Sequence, residues 1–214
     1  MRRSMPSLNE ILAAHPPLLL LDAASARVQA GLLAGDGGGR WESSEDEAGV
    51  GVFRCVEALG VDMGAVGSFA FCSGPGSLLG IRTVAMALRA WRVALPRPVF
   101  AYGSLALVAH AVGRPGAGVI ADARRGAWHL YQLGRELRRV PTAELPSDLL
   151  MPEGFRHWTE LPATPVERTP YSIAAMFARP AVAAAELFRP TDAPDAFLPE
   201  EPSYATWTPQ MHRA

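Results

Sequence analysis

Residues 73–82 read Ser73-Gly74-Pro75-Gly76-Ser77-Leu78-Leu79-Gly80-Ile81-Arg82. The stretch follows an apolar run from Val66 to Cys72, whose composition is typical of a β-strand. A helical pattern then extends over residues 77–94, with Ser77 as the expected N-cap. A strand, a glycine-rich turn and a helix start in this order predict an α/β fold in which free backbone N–H groups gather at the turn.

The glycines exclude three familiar motifs. Gly80 is followed by Ile and Arg, whereas a P-loop has Lys and then Ser or Thr. Leu79 stands where a dinucleotide-binding motif has its third glycine. The nucleophile elbow is also absent, because Ser77 directly follows Gly76. Two interpretations stay open: the turn can hold an anion, or it can let the helix fold back tightly against its strand.

The stretch resembles the G-P-G-S-F-T-G-L-R motif of the TsaB (YeaZ) family, the partner subunit in bacterial threonylcarbamoyladenosine modification of tRNA. Leu78, Leu79 and Ile81 depart from that motif, and the other motif positions match. Further segments that resemble the family in the expected order are Leu-Leu-Leu-Asp-Ala-Ala-Ser at 19–25, Val-Ile-Ala-Asp-Ala-Arg-Arg-Gly at 119–126 and Glu-Pro-Ser-Tyr at 201–204. The resemblance therefore covers most of the chain.

The resemblance implies an actin-like ATPase fold, a duplicated two-lobe α/β architecture of mixed β-sheets flanked by helices. We expect an N-terminal extension at 1–16, a first lobe at 17–102 and an abbreviated second lobe at 103–214. An internal similarity supports the duplication, since an apolar strand followed by Asp-Ala occurs at Asp22 and again at Asp122.

Apolar periodicity and turn residues predict the elements along the chain. The predicted strands are 17–21, 27–33, 40–41, 66–72, 99–102, 118–122, 127–133 and 137–140. The predicted helices are 7–14, 45–59, 77–94, 104–112 and 181–188. Prolines recur beyond Pro141, so we expect no long strand there. Ser7 to Glu10 fit a capping box, so residues 7–14 are either a short helix or a floppy extension, and the resembling family usually starts directly at its first strand.

The composition is that of an ordinary globular protein, with 49% hydrophobic and 19% charged residues. The net charge of −1 argues against RNA binding by bulk electrostatics alone. Cys55 and Cys72 form no spacing motif, which favours reduced, buried thiols in a cytoplasmic protein. The short apolar run at 18–21 ends at Asp22, so we expect no membrane segment.

Metal-dependent and nucleophilic catalysis find little support in the residues. The five histidines include no pair three to five residues apart, so we expect no metal site. The resembling family's catalytic paralogue carries such a pair, and its absence counts against the M22-like glycoprotease label of the superfamily. Ser73 and Ser77 have no local general base. We therefore assign no catalytic residue and expect a pseudo-enzyme subunit.

A candidate anion or nucleotide site combines the glycine turn with nearby polar residues. Its members are Asp22, Gly74, Gly76, Ser77, Arg82 and Asp122. The alternative for each Asp is an Asx-type bond within its own turn. For Arg82 we favour an ion pair with Asp22 or Asp122. Arg124 and Arg125 fit either a solvated turn or a contact with tRNA or a partner.

The helix at 77–94 carries two apolar stripes. One consists of Leu78, Ile81, Ala85 and Leu88, and the other of Gly80, Val84, Ala87 and Trp91. A helix between a sheet and water needs a single stripe, so either the helix at 45–59 or a partner protein should cover the second one. In the resembling family these two helices form the dimer face. The candidate interface residues are Phe53, Val56, Leu78, Ile81, Ala85 and Leu88.

By resemblance, the chain is a non-catalytic partner and activator of a TsaD-type subunit in tRNA threonylcarbamoyladenosine modification. A TsaE-type ATPase is a further expected partner, a homodimer is possible, and tRNA is contacted only indirectly. We expect no tightly bound cofactor, with ATP acting only at the level of the complex. Two alternatives stay open: a nucleotide-binding enzyme of actin-like fold, and a self-associating homodimer without a tRNA role.

Overall fold

Two mixed β-sheets flanked by helices make up the computed structural model, which describes residues 5–197. The strands of the first sheet are β1 (Leu18–Asp22), β2 (Val28–Leu33), β3 (Gly39–Ser44), β4 (Ser68–Gly74), β5 (Val99–Gly103) and β11 (Arg189–Pro190). Those of the second are β6 (Gly118–Asp122), β7 (Ala127–Tyr131), β8 (Arg138–Pro141), β9 (Leu149–Pro152) and β10 (Val166–Thr169). The helices are α1 (Leu8–Ala14), α2 (Ala48–Ala58), α3 (Leu78–Ala94), α4 (Ser104–Val112), α5 (Ile173–Phe177) and α6 (Pro180–Ala183).

The two sheets share one topology. The first runs β5-β4-β1-β2-β3 and the second β10-β9-β6-β7-β8, with β11 added to the outer side of β5. In each sheet the opening strand pairs antiparallel with the next strand and parallel with the fourth. The architecture is therefore duplicated, as the repeated Asp-Ala pattern predicts.

Within the described residues, the second sheet has no counterparts of α2 and α3. In the first lobe α2 precedes β4 and α3 precedes β5, whereas the equivalent positions hold a short 3₁₀ turn (Thr142–Glu144) and an irregular loop at 153–165. A small separate core, which includes Ile120, Trp128 and Met151, lies in this lobe. The abbreviation expected from the sequence thus consists of two helices replaced by loops.

The central strands of the first sheet are buried on both faces. Leu19, Leu21 and Phe69 belong to the core shared with α2 and α3, while Leu18 and Leu20 belong to the core shared with α1, α4 and α5. This alternation follows from the two-residue period of a strand. The core around α4 also includes Val119 and Ala121 of β6, so one core joins the two sheets.

Residues 5–16 of the N-terminal extension pack against this core. Its capping box is present, with the Ser7 backbone N–H donating to Glu10 Oε2 at 2.7 Å. Leu8, Ile11 and Leu12 of α1 are buried. The extension also contacts the segment between α6 and β11, because the Phe188 N–H donates to the Pro6 carbonyl at 3.1 Å.

The C-terminal part departs from the sequence-based elements. The helix predicted at 181–188 is wrong beyond residue 183, because the chain leaves the helix there and Leu187 and Phe188 enter the core. Strands β9 and β10 were not predicted, since each has only four residues within a proline-rich stretch. Strand β11 pairs antiparallel with β5, so the chain returns to the first lobe. No helix within residues 5–197 is long and apolar enough to cross a bilayer.

Candidate functional site

A cleft of about 940 Å³ lies between the two lobes. The first lobe contributes the turn after β1, the start of α2 and the glycine-rich turn with the start of α3. The second lobe contributes the turn after β6, His129 and the loop after β9. Gly74, Gly76, Ser77 and Asp122 of the candidate anion site line this cleft.

The glycines of the turn let α3 begin very close to the turn after β1. The Ser77 N–H donates to the Ala24 carbonyl at 2.7 Å. A Cβ on Gly76 would collide with the Ala24 carbonyl oxygen, and one on Gly80 with the Ala23 carbonyl oxygen. The predicted N-cap is confirmed, since Ser77 Oγ accepts from the Gly80 N–H at 3.3 Å. Tight folding back of the helix therefore accounts for these glycines.

Asp22 lies inside the protein and does not reach the cleft. Its Oδ1 accepts from the Ala24 N–H at 2.9 Å, which is the Asx-type bond considered above. Its Oδ2 accepts from the hydroxyls of Tyr102 at 2.6 Å and Tyr171 at 2.7 Å. Burial raises the pKa of Asp22, and the two tyrosine hydroxyls oppose that rise. The carboxylate joins β1, β5 and the segment before α5, and it does not line the cleft.

Asp122 ends the equivalent strand of the second lobe, but its side chain accepts hydrogen bonds from different partners. Its Oδ1 accepts from the Arg124 N–H at 2.8 Å and from Thr159 Oγ1 at 2.6 Å. Its Oδ2 accepts from the Trp158 N–H at 2.7 Å. Burial alone would raise the pKa of Asp122, but these hydrogen bonds outweigh it and lower the pKa. Asp122 therefore fixes the loop at 153–165 against the turn after β6.

The predicted ion pair of Arg82 with Asp22 or Asp122 is wrong. Arg82 lies on the exposed side of α3, two residues before the buried Val84, and it does not line the cleft. Both aspartates take the other partners described above, and Arg82 forms no ion pair with any carboxylate between residues 5 and 197. A helix rotates about 100° per residue, so position 82 faces away from the strand ends that carry these aspartates.

The arginines after β6 lie in an exposed turn with positive φ angles, 63° at Arg124 and 53° at Arg125. The Arg124 guanidinium carbon lies 3.1 Å from the ring centroid of Trp158. Trp158 is 62% exposed. The solvated-turn alternative describes the backbone here, while the stacking of Arg124 on an indole had no signal in the sequence.

His129 was not singled out from the sequence, although it lines the cleft. It is buried in β7, and its Nδ1 has no hydrogen-bond partner within the described part of the chain. Burial and the positive charge of Arg139 lower the pKa of His129 to about 4, against an opposing contribution from Asp122. The imidazole is therefore neutral at pH 7. Residues 5–197 contain no cluster of three or more His, Cys, Asp or Glu placed to hold a metal ion.

The candidate interface residues divide into two groups. Ile81, Ala85 and Leu88 are buried in the protein's own core, so their assignment to a partner surface is wrong. Ala85 and Leu88 pack in the core that α2, α3 and the first sheet share, and Ile81 packs in the core around α4. Helix α2 also lies beside Trp91 of the second stripe, with 6.3 Å between the ring centroids of Phe53 and Trp91. Phe53 and Leu78 are exposed, and Val56 is half-buried.

The apolar surface of α2 and α3 is larger than the sequence suggested. Leu79, Met86 and Val93 are 77%, 68% and 89% exposed. Their seven-residue spacing aligns them along one side of α3. Of the ten large apolar side chains exposed between residues 5 and 197, six lie on these two helices. This set, called the α2/α3 face below, consists of Val50, Phe53, Leu78, Leu79, Met86 and Val93.

Comparison with known proteins gives a structural relative. No family model and no curated protein matches the chain. YeaZ from Pseudomonas aeruginosa superimposes with a TM-score of 0.53 and 21% identity, over 75% of this chain and 88% of YeaZ. The chain has the fold of YeaZ. The resemblance found in the sequence is confirmed at the level of the fold.

A second solved structure is an uncharacterized protein with similarity to peptidase YeaZ from Pseudomonas aeruginosa. It has a TM-score of 0.49 and 24% identity, over 70% of this chain and 85% of that protein.

Three of the four segments that carried the resemblance border the cleft or the core beside it: 19–25, 73–82 and 119–126. The segment at 201–204 lies outside the described residues.

Proposed function

We propose that this chain is a non-catalytic partner and activator of a TsaD-type subunit in the threonylcarbamoyladenosine modification of tRNA. One observation carries the proposal: a chain with the fold of YeaZ exposes an apolar surface on the two helices that form the dimer face in the resembling family. In this proposal the two lobes are a shortened actin-like ATPase fold. ATP and a TsaE-type ATPase act only at the level of the complex, in the cytoplasm.

The α2/α3 face has the character of a surface that is covered in an assembly. Burying apolar surface contributes about 25 cal/mol per Å², and monomeric proteins seldom leave a large continuous apolar patch in water. Ala90 is exposed on the same helix as Met86 and Val93, and its small side chain leaves room for a partner helix. The face therefore supports a helix-to-helix contact with another protein.

The proposal assigns no chemical step to this chain. Ser73 Oγ donates to the Tyr102 carbonyl at 3.2 Å, and Ser77 caps α3. Within the described residues no hydrogen bond joins either hydroxyl to a His, Asp or Glu side chain that could act as the general base that a serine nucleophile needs. Asp22 is enclosed by its tyrosines, so it cannot contact a phosphate or a metal ion in the cleft.

The test is light-scattering chromatography of the chain, alone and mixed with the TsaD-type protein of the same organism. We expect a stable hetero-complex that Met86→Arg abolishes, because the change places a charge in the middle of the exposed apolar row of α3, between Leu79 and Val93. Met5→Arg is the matched control, since Met5 is 38% exposed outside that face. Changes at Ala85 or Leu88 are unsuitable, because a buried arginine would unfold the chain.

Two outcomes would overturn the proposal. One is a chain that ignores the TsaD-type protein and forms a homodimer through the α2/α3 face, which favours the self-associating alternative. The other is a hetero-complex that Met86→Arg and Met5→Arg affect equally, which would place the contact elsewhere. Deletion of the gene provides the cellular readout, because the proposal expects loss of the modified adenosine from tRNA.

A further inference from the structure

Three arginines lie near an exposed tryptophan where the turn after β6 meets the loop at 153–165: Arg125 lines a cavity together with Trp158, and Arg156 lines the interlobe cleft together with it. Arg124 stacks on the Trp158 indole, Arg125 follows it in the turn, and Arg156 precedes Trp158 by two residues. All four residues are exposed. A cavity of about 680 Å³ opens beside them and is lined by Arg124, Arg125, Trp158 and the segment that follows Trp158. We call Arg124, Arg125, Arg156 and Trp158 the Arg124–Trp158 platform.

The platform is held in place by one carboxylate. Asp122 accepts hydrogen bonds from the backbone N–H of Arg124 at 2.8 Å and from that of Trp158 at 2.7 Å. The Thr159 hydroxyl adds a third bond at 2.6 Å. The guanidinium and the indole are therefore positioned together before any ligand arrives, which reduces the entropy lost on binding.

The arginines of the platform form no ion pair within the part of the chain that the structure describes. Five other arginines form ion pairs within residues 5–197, but Arg124, Arg125 and Arg156 form none there. Glu160 is the single acidic residue that lines the cavity. Arg156 lines the interlobe cleft instead, where the first lobe contributes Glu45, Asp46 and Glu47, and Glu45 and Asp46 already pair with Arg27 and Arg54. The hydrogen bonds of Asp122 hold its carboxylate in the charged form, so Asp122 and Glu160 together balance two of the three arginine charges. A chain with a net charge of −1 therefore presents a local excess of unpaired positive charge around an aromatic ring.

We propose that the Arg124–Trp158 platform binds single-stranded nucleic acid. An exposed indole with a guanidinium beside it provides stacking surfaces for unpaired bases, and stacking of this kind is independent of base identity. Arg125 and Arg156 supply donors for the neighbouring phosphates, which arginine contacts with two parallel hydrogen bonds. An acidic protein segment would satisfy the arginines but would leave the indole without a role, so the nucleic acid fits better.

The inference goes beyond the proposed function, in which tRNA is contacted only indirectly, and it concerns a surface of the other lobe from the α2/α3 face. Its test uses the purified chain alone, so it does not depend on a TsaD-type protein. The probe is a fluorescently labelled oligouridine of about ten nucleotides, a length within the range that single-strand-binding folds cover. Binding is followed by fluorescence anisotropy over a series of salt concentrations.

We expect saturable binding that weakens about 10-fold in Trp158→Ala, since stacking of one base contributes about 1–3 kcal/mol. Arg125→Gln should weaken binding and reduce the slope of log K against log salt by about 0.7, the value for one phosphate contact on a single strand. Phe53→Ala and Arg82→Gln are the matched controls, because both residues are exposed on the first lobe. Far-UV circular dichroism verifies that each variant folds.

Three results would overturn the inference. The first is that the chain does not bind the oligouridine. The second is that the platform variants bind it as tightly as the two controls do. The third is polyglutamate binding at the platform, abolished by Arg125→Gln but not by Trp158→Ala, which would assign the surface to an acidic protein. Because Arg125→Gln changes only an exposed side chain, the conclusion does not rest on the folding of Trp158→Ala.

Discussion

One buried carboxylate, that of Asp22, connects three parts of the chain. Tyr102 and Tyr171 both donate to its Oδ2, and the Ala24 N–H donates to its Oδ1. In Asp22→Ala both hydroxyls lose their acceptor inside the protein, at about 1–3 kcal/mol for each. We therefore expect Asp22→Ala to lower the free energy of unfolding by about 3 kcal/mol or more, measured by urea denaturation.

Tyr171→Phe is the comparison for this residue. It removes one donor and leaves Asp22 with two others, so we expect a loss of about 1 kcal/mol. If Asp22→Ala costs no more than Tyr171→Phe, the carboxylate does not have the connecting role assigned to it.

The local part of each aspartate's environment can be predicted from sequence, and the distant part cannot. The Asx-type bonds of Asp22 and Asp122 join residues two apart, as expected for an Asp that ends a strand. The tyrosines that enclose Asp22 come from 80 and 149 positions along the chain. No local pattern reports such a pairing, so the sequence left open whether Asp22 faces a ligand.

At the scale of elements, the start of α3 depends on a glycine that has no room for a side chain. A Cβ on Gly80 would collide with the Ala23 carbonyl oxygen, which is backbone and cannot move aside cheaply. We expect Gly80→Ala to lower the free energy of unfolding by about 2 kcal/mol, within the 1–3 kcal/mol typical of overpacking. Denaturant unfolding measures the effect.

Gly49 in α2 is the matched control, because a Cβ there would meet open space. Gly49→Ala should raise stability by up to about 1 kcal/mol, since alanine is the better helix former. Equal effects of the two substitutions would show that close packing does not explain the glycines of the turn.

Helix α3 could be predicted because local rules and tertiary packing agree. Ser77 caps the helix, and its apolar residues recur on the side that packs against the sheet. The alanine-rich run at 181–188 shows the opposite case. Its helix propensity is high, yet the chain leaves the helix after Ala183 so that Leu187 and Phe188 become buried and the Phe188 N–H reaches the Pro6 carbonyl. Tertiary packing overrides propensity there, and periodicity cannot report it.

At the scale of the whole molecule, the Asp-Ala repeat correctly indicated a duplicated architecture, whereas the placement of the interface was partly wrong. Apolar period shows how wide the buried side of a helix is, but not which neighbour covers it. Helix α2 lies beside Trp91, and the exposed row along α3 consists of positions that both stripes omitted: Leu79, Met86 and Val93. The return of β11 to the first sheet likewise depends on pairing across the whole chain.

The two lobes share buried hydrogen bonds, so we expect them to unfold together. Gln29 of β2 donates from Nε2 to the Tyr171 carbonyl at 3.1 Å and accepts at Oε1 from the Ile173 N–H at 3.1 Å. Gln29→Leu leaves that carbonyl and that N–H without partners, so we expect a loss of about 2 kcal/mol or more. Gln132→Leu is the matched control and should cost less, because Gln132 bonds the Gly116 carbonyl at the surface.

Tryptophan fluorescence and far-UV circular dichroism should report one coincident urea transition for the wild type and for both glutamine variants, because the core around α4 contains residues of both sheets. Trp41 and Trp91 lie in the first lobe and Trp128 in the second, so fluorescence follows both. Two separate transitions in the wild type would mean that the lobes are independent units. A Gln29→Leu protein as stable as Gln132→Leu would mean that these hydrogen bonds do not couple the lobes, and the shared apolar core would then have to hold them together alone.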